Sequence, residues 1–296
     1  MNPTNYDFAI IGGDMRQIYM ANELIAHNFS VIVYGLLDPS LDLSCTTATS
    51  LAEAVESSQT IITPIPVSKD GKNILSQRVH PDLTIEQLLN SLSPEQKLYG
   101  GCLNKELKRY CDSHGIYYHD FMEQEEVILF NTIATAEGTI AEAILSSTTN
   151  LHGSSCLILG FGRCARTLAE KLKGLCGHID IAARSPLALA AANAASFGTV
   201  FLSDLDEKIE QYAYIFNTIP TLILTGELLA KTNPDVVIID ISSAPGGVDF
   251  NAARELSRNA KLCLGLPGKY APKASADYLI DYLLTNLERS DSYVFA

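Results

Sequence analysis

The sequence has no tryptophan and only six histidines, and it is short of positive charge, with 21 lysines and arginines against 34 aspartates and glutamates. A formal charge of −13 repels polyanions, which argues against nucleic-acid binding and against attachment to an anionic membrane surface. Long hydrophobic runs are missing too. No apolar stretch approaches the ~20 residues needed to span a bilayer, and the N-terminal MNPTNYDFAII has no basic segment ahead of its apolar part. A cytoplasmic, non-membrane protein is therefore expected. The seven cysteines, Cys45, Cys102, Cys111, Cys156, Cys164, Cys176 and Cys263, are odd in number and contain no C-x-x-C pair, so neither a disulfide framework nor a thiolate zinc site is indicated. Cys111, His114 and His119 come nearest to a metal pattern, but a strand is expected between the two histidines, and no metal is predicted.

What is present is the composition of a folding chain, 47% hydrophobic and 19% charged, over 296 residues. Single cores usually stop growing near ~250 residues, so two domains are expected. In the first half, strands are read at Phe8–Ile11, Val31–Tyr34, Thr60–Thr63, Ile116–Phe121 and Val127–Phe130. Helices are read at Met15–His27 and Leu103–His114, with a short helical turn from Ser93-Pro94 and a solvated acidic turn at EQEE. A connecting helix is expected from Thr135 to Ser147. The second half alternates more regularly, with strands near Cys156–Leu159, Ile179–Ala183, Thr199–Leu202, Tyr214–Asn217, Val236–Ile241 and Leu262–Leu264.

Strands alternating with helices imply an α/β fold of two Rossmann-like domains, the second a doubly wound parallel sheet that binds a dinucleotide, joined by an interdomain helix. The expected limits are 1–134, 135–150 for the connecting helix, 151–271, and 272–296 for a last helix packing back on the first domain.

The sharpest local signal is CLILGFGRCARTLAEKL, in which Gly160-x-Gly162-x-x-Ala165 sits between an expected strand and an expected helix. The first glycine permits a tight turn, the second admits a pyrophosphate close to the backbone, and Ala165 allows close helix packing. Helix N-terminal amides then face the phosphates, which makes Gly160, Phe161, Gly162, Arg163 and Cys164 cofactor contacts. About 20 residues on, where an NAD enzyme places an acidic residue on the ribose, the chain reads Ala182-Ala183-Arg184-Ser185. Arg184 can pair with a 2′-phosphate and Ser185 can hydrogen-bond it, so NADP is the predicted cofactor. Asn217, Thr218 and Pro220 close the fourth strand of this domain beside the expected nicotinamide; an Asx-capped turn is the alternative role for the first two. The earlier Gly12-Gly13-Asp14 turn lacks the full fingerprint and is assigned no nucleotide.

Polar residues at other strand exits are candidates for substrate chemistry, notably Asp14, Arg16 and Gln17 in the first half, Glu137 in the connecting helix, and Lys269 and Lys273 in the late loop. No histidine follows His178, so a late-loop histidine base of the hydroxyacid dehydrogenase kind is absent, which favours chemistry on a C=N or ring C–H substrate.

The ordered segments GGDMRQ, NTIATAEGTIAEAI, HGSSCLILGFGRCARTLA, FNTIP, DISSAPGGVDF and GLPGKYAPKAS, spread over residues 7 to 285, resemble the family of the A-type subunit of dipicolinate synthase. That resemblance implies two Rossmann-like domains and an NADP-dependent oxidoreductase in the mother cell of a spore former, on the branch that leaves lysine biosynthesis. It would convert the dihydrodipicolinate-level product of dihydrodipicolinate synthase to dipicolinate, beside the flavoprotein-like B-type subunit of dipicolinate synthase; a homo-oligomer is also compatible. A dicarboxylate substrate then points to Arg16, Gln17, Lys269 and Lys273 as its contacts, and the proton acceptor is Glu137, Asp14 or a water. Two positions depart from the family pattern: Ala134 stands where proline is common, and Ala244 where a basic residue is. An amino-acid or imino-acid dehydrogenase of related fold and a non-catalytic NADP-binding regulatory subunit remain alternatives.

Overall fold

The computed structural model describes residues 5–78 and 80–292, so residues 1–4 and 293–296 of the expected domain limits lie outside the described residues. The chain divides into two compact units, Met1–Ile128 with Ala271–Ala296, and Leu129–Tyr270.

The first unit runs β1 (Tyr6–Ile11), α1 (Met15–Ala26), β2 (Val31–Tyr34), β3 (Thr46–Thr47), α2 (Leu51–Glu56), β4 (Ser58–Ile62), α3 (Ile85–Ser91), β5 (Lys97–Gly100), α4 (Lys105–His114) and β6 (Tyr117–Asp120). All its strands are parallel, in the order β3-β2-β1-β4-β5-β6. The strand sequences explain the topology, because VIVY in β2 is buried at every position, the signature of a strand covered on both faces. Asp14 starts α1 by accepting the Arg16 amide, and Gln17 caps back onto the Asp14 amide, while Gly115, at φ 67°, stops α4.

The helix α5 (Glu125–Leu145) leads into β7 (Ser155–Leu159), α6 (Arg163–Leu172), β8 (His178–Ala183), α7 (Pro186–Ala194), β9 (Gly198–Phe201) and β10 (Tyr214–Asn217). Then follow α8 (Gly226–Ala230), β11 (Val237–Asp240), α9 (Phe250–Glu255), β12 (Asn259–Leu262), α10 (Leu266–Tyr270) and α11 (Pro272–Ser292), the last of which belongs to the first unit. The second sheet is again parallel, in the order β12-β11-β10-β7-β8-β9. Taken from its opposite edge it repeats the order of the first sheet, so each unit is a Rossmann-type sheet whose strand order reverses beside its first strand. The expected α/β architecture is thus observed twice. In the first unit, Leu279, Ile280 and Leu283 of α11 are buried with Phe8, Ile18 and Leu24, each large side chain contributing roughly 1.5–3 kcal/mol of transfer free energy.

Several local expectations are corrected. Val127–Phe130 is not a strand but part of the opening turns of α5, which begins at Glu125. A continuous apolar run is ambiguous between strand and helix, and Glu125 and Glu126 lie in the first turn, where the helix dipole favours them. Ala134 also lets α5 continue where a proline would interrupt it. The turn expected from Ser93-Pro94 is present, the Gln96 amide donating to the Ser93 carbonyl at 3.1 Å, whereas β12 lies at Asn259–Leu262 rather than at 262–264. Among the described residues α5 is the helix long and apolar enough to cross a membrane, although its Ala136, Thr139, Glu142 and Ala143 are buried in the structure.

Candidate functional site

The glycine turn lies where the second sheet reverses its strand order, between the carboxyl ends of β7 and β10. Gly160 has φ +93°, and a Cβ there would sit 2.7 Å from Thr218 Oγ1. Thr218 is fixed in turn, donating from its hydroxyl to the Leu159 carbonyl at 2.8 Å. Gly162 differs, since a Cβ on it would meet nothing within 4 Å, and it begins α6 without any side-chain cap. A ten-residue helix therefore starts at a residue with open space beside it and no side-chain cap, the arrangement that suits a phosphate. This geometry fits a dinucleotide.

The neighbouring side chains divide by role. Phe161 packs its ring on Phe197 at 6.0 Å, and its carbonyl accepts from Arg166 Nε. Arg163 is exposed, and burial pushes the Cys164 thiol up. Arg184 is the first residue beyond β8, exposed and without an ion pair among the described residues. Ser185 caps α7, accepting the Ala188 amide at 3.3 Å, and Pro220 is exposed. Asn217 is fully buried. Its amide nitrogen donates to the Ile219 carbonyl at 3.0 Å and to Asp240 at 2.9 Å, while its oxygen accepts the Ile219 amide.

Asp240, which sequence reasoning did not single out, organises this end of the sheet. It is wholly buried at the end of β11. One carboxylate oxygen accepts from Asn217 Nδ2 and from the Ser242 amide and hydroxyl, and the other accepts the Gly247 amide at 2.7 Å. The available signal was an acidic residue closing the apolar run VVIID directly before the ISSAPGG segment.

In the first unit, Asp14, Arg16 and Gln17 converge at the corresponding reversal point beside β1 and β4. Arg16 is 5% exposed. Its Nε and Nη2 donate to the Asp14 carboxylate at 3.0 and 2.8 Å, and Nη2 also donates to the Ile65 carbonyl at 2.6 Å. Burial raises the Asp14 pKa, but hydrogen bonding and charge from Arg16 outweigh it and hold the carboxyl below its ordinary range. Gln17 is fully buried, with Oε1 on the Asp14 amide and Nε2 unpartnered. The Gly13 amide donates to the Leu75 carbonyl at 2.7 Å, so the chain's own backbone occupies the donor that a phosphate would use.

The remaining candidates are each paired. Glu137 accepts from Lys171 at 2.8 Å on the exposed side of α5. Lys269 and Tyr270 both donate to the buried Glu142, and that hydrogen bond raises the Lys269 pKa. Lys273 pairs with Asp277 at 2.8 Å one turn along α11. Among the described residues no three His, Cys, Asp or Glu side chains gather as metal ligands. His119 lies among the rings of Tyr99, Phe121 and Tyr282, and His114 stacks on Tyr110.

Residues 7–122 match the family described as the N-terminal domain of the A-type subunit of dipicolinate synthase. The A-type subunit of dipicolinate synthase from Bacillus subtilis strain 168 is 28% identical over 284 residues, covering 95% of both chains. The crystal structure of the corresponding subunit from Bacillus halodurans superposes with a TM-score of 0.82 at 25% identity, covering 97% of this chain and 99% of that one. A transhydrogenase from Sinorhizobium meliloti shares the fold alone, with a TM-score of 0.63 at 12% identity over 95% of each chain. The resemblance read from the ordered motifs therefore extends over 95% of the chain, which is similar to the A-type subunit of dipicolinate synthase in both sequence and fold.

Proposed function

We propose that this chain binds NADP at the turn between β7 and α6 and oxidises the dihydrodipicolinate-level product of dihydrodipicolinate synthase to dipicolinate, in the cytoplasm of a sporulating mother cell and with a flavoprotein-like B-type subunit. The observation that carries the reading is the uncapped N-terminus of α6 with open space at Gly162, in a chain similar to the A-type subunit of dipicolinate synthase throughout. The nicotinamide, when bound, supplies a hydride acceptor.

The protein's own part is binding and orientation. Amides of Phe161, Gly162, Arg163 and Cys164 hold phosphate, and Arg184, with no competing carboxylate among the described residues, pairs with the 2′-phosphate while Ser185 hydrogen-bonds it. Arg16 binds a substrate carboxylate, with Asp14 fixing its plane and Gln17 Nε2 as a second donor. Lys269 and Lys273 are further carboxylate contacts. Aromatisation supplies the driving force, so a weak base suffices for the proton lost from the ring; Glu137 is the proposed acceptor, with Asp14 as the other carboxylate in question.

The test is to supply freshly generated synthase product with NADP+ or NAD+, with and without the B-type subunit, and follow the ultraviolet absorbance of pyridine dicarboxylate. NADP+-dependent product supports the reading. Tight NADP binding with no product would leave a regulatory role, and turnover of an amino or imino acid instead would make it a dehydrogenase of another substrate. In Arg184→Ala, loss of one charge-assisted contact of roughly 1.5–3 kcal/mol should lower NADPH affinity ~10- to 100-fold and leave NADH affinity unchanged. An unchanged preference would refute NADP.

A further inference from the structure

The seven cysteines form no framework in sequence, yet the fold brings two of them together. Cys156 lies on β7, four residues before Gly160, and Cys176 lies just beyond α6, so the pair brackets the glycine turn and the helix it starts. Their sulfurs are 3.0 Å apart. Disulfide sulfurs sit ~2.0 Å apart, so closure needs about 1 Å of movement.

The backbone around the pair is clamped. The Gly153 amide donates to the Leu175 carbonyl at 2.8 Å, the Gly177 amide to the Ser154 carbonyl at 2.9 Å, and the Cys176 amide to the Leu172 carbonyl at 2.9 Å. A Cβ on Gly177 would lie 2.5 Å from the Gly153 carbonyl oxygen, so the two segments are already in close contact. The two thiols are unequal. Cys156 is fully buried, whereas Cys176 is partly exposed. The hydrogen bond between the two thiols raises Cys156 and lowers Cys176, while burial pushes up the thiols of Cys45, Cys102, Cys111, Cys164 and Cys263. Within the pair the partly exposed Cys176 is therefore the one placed to attack, and the buried Cys156 the one placed to resolve.

We propose that Cys156 and Cys176 form a reversible disulfide that fastens β7 to the end of α6 when the cell's low-molecular-weight thiols become oxidised. The Cys176 thiolate attacks one sulfur of an oxidised low-molecular-weight disulfide and releases one thiolate. Cys156 then gives up its proton, its sulfur bonds to Cys176, and the second thiolate leaves. Two protein thiols are oxidised and one small disulfide is reduced to two thiols. Transient pairs of this kind are the form in which disulfides occur in reducing compartments. The inference does not depend on which dinucleotide or substrate is bound.

The full chain is equilibrated with reduced and oxidised glutathione at graded ratios, quenched in acid, and its remaining thiols are alkylated after unfolding. The expected product is two hydrogens lighter, with Cys156 and Cys176 both protected and linked, and is fully reversed by dithiothreitol. Because no lysine or arginine separates Arg109 from Arg163, Cys111 shares a tryptic peptide with Cys156; Cys111→Ser therefore has to retain the linked peptide. Cys176→Ser, at a partly exposed position, has to lose it. Closing a loop of this length should raise Tm on the order of 5 °C in wild type and leave Cys176→Ser unmoved. Cys156 and Cys176 both alkylatable at oxidising ratios, a linkage through another cysteine, or a mixed glutathione disulfide that persists on Cys176 would each overturn the proposal.

Discussion

The two glycines of the turn separate folding from binding, because the structure gives them opposite surroundings. Gly162 has φ −79° and open space where a Cβ would sit. Alanine there costs the helix start roughly 0.5–1 kcal/mol, and the loss of unfolded-state entropy returns roughly 0.4–1 kcal/mol, so stability should stay within ~0.5 kcal/mol of wild type. The same methyl group occupies the approach of a pyrophosphate to the α6 amides. Weakening one charge-assisted hydrogen bond removes roughly 1.5–3 kcal/mol, a loss of ~10- to 100-fold in NADPH affinity. Gly160→Ala should behave inversely in stability. Its φ of +93° is strained for an L residue, and the new Cβ meets Thr218 Oγ1 at 2.7 Å, so a fall of roughly 2–4 kcal/mol is expected. Urea denaturation measures one quantity and calorimetric titration with NADPH the other. Full NADPH affinity in Gly162→Ala would refute the assignment of the phosphates to this turn, and an equal drop in stability would show that the open space is needed by the fold itself.

Other expectations follow from buried polar groups. Asp240→Ala removes the acceptor of four donors and should cost about 3–5 kcal/mol, whereas Asp240→Asn keeps one acceptor oxygen but opposes the Gly247 amide with another N–H and should cost about 1–3 kcal/mol; equal losses in urea denaturation would show that the network is not what holds the 242–247 loop. Burial lowers the His119 pKa, so folding favours the neutral ring: its contribution is present above ~6.5 and is lost as pH falls through the folded value, and a stability profile of His119→Phe should be flatter over that acidic window than the wild-type profile. Arg16→Ala should raise KM for the dicarboxylate ~10- to 100-fold with little change in NADP affinity, and an equal rise in both would make Arg16 structural.

The second unit was more legible than the first, for a physical reason. Its strands are contiguous apolar runs such as CLIL, YIFN and VIID, covered on both faces, and its turn carries glycines whose spacing has a mechanical meaning. In the first unit α2 and α3 have six and seven residues and β3 only two, too short to show a period. The run VILF reads equally as strand or helix, and only its continuation through Asn131 to Leu145 makes it α5. At the candidate site, residue type and strand-end position pointed to Asp14, Arg16 and Gln17, which do meet. The partners that occupy them, such as the Ile65 carbonyl on Arg16, come from a loop far away in sequence and leave no local signal. Asp240 differs, since three of its four donors come from Ser242 and Gly247 in the loop directly after it and only the Asn217 donor on β10 is distant, so its signal was local and was passed over.

The charge distribution gives a reason why the proposed anion binding would rest on backbone and arginine rather than on lysine. At −13, most of the proposed cationic contacts already have a carboxylate: Arg16 has Asp14, Lys269 has Glu142 and Lys273 has Asp277. These pairs are not equally exchangeable. Lys273 and Asp277 are both well exposed, and such a pair contributes roughly 0–1 kcal/mol, so Lys273 can exchange Asp277 for a ligand carboxylate at small cost. Releasing Lys269 would strand the buried Glu142, and releasing Arg16 would break a bidentate pair whose arginine is 5% exposed. Arg16 can therefore take a substrate carboxylate only as an additional partner through Nη1, which donates to none of the described residues, and Asp14 must stay in place while it does so. At the dinucleotide end, Arg184 has no ion pair among the described residues, and the α6 amides provide partial positive charge that does not count in the net total. Helix dipoles, unlike lysines, are not neutralised by pairing with carboxylates, and this is how a strongly acidic chain would hold the proposed polyphosphate there.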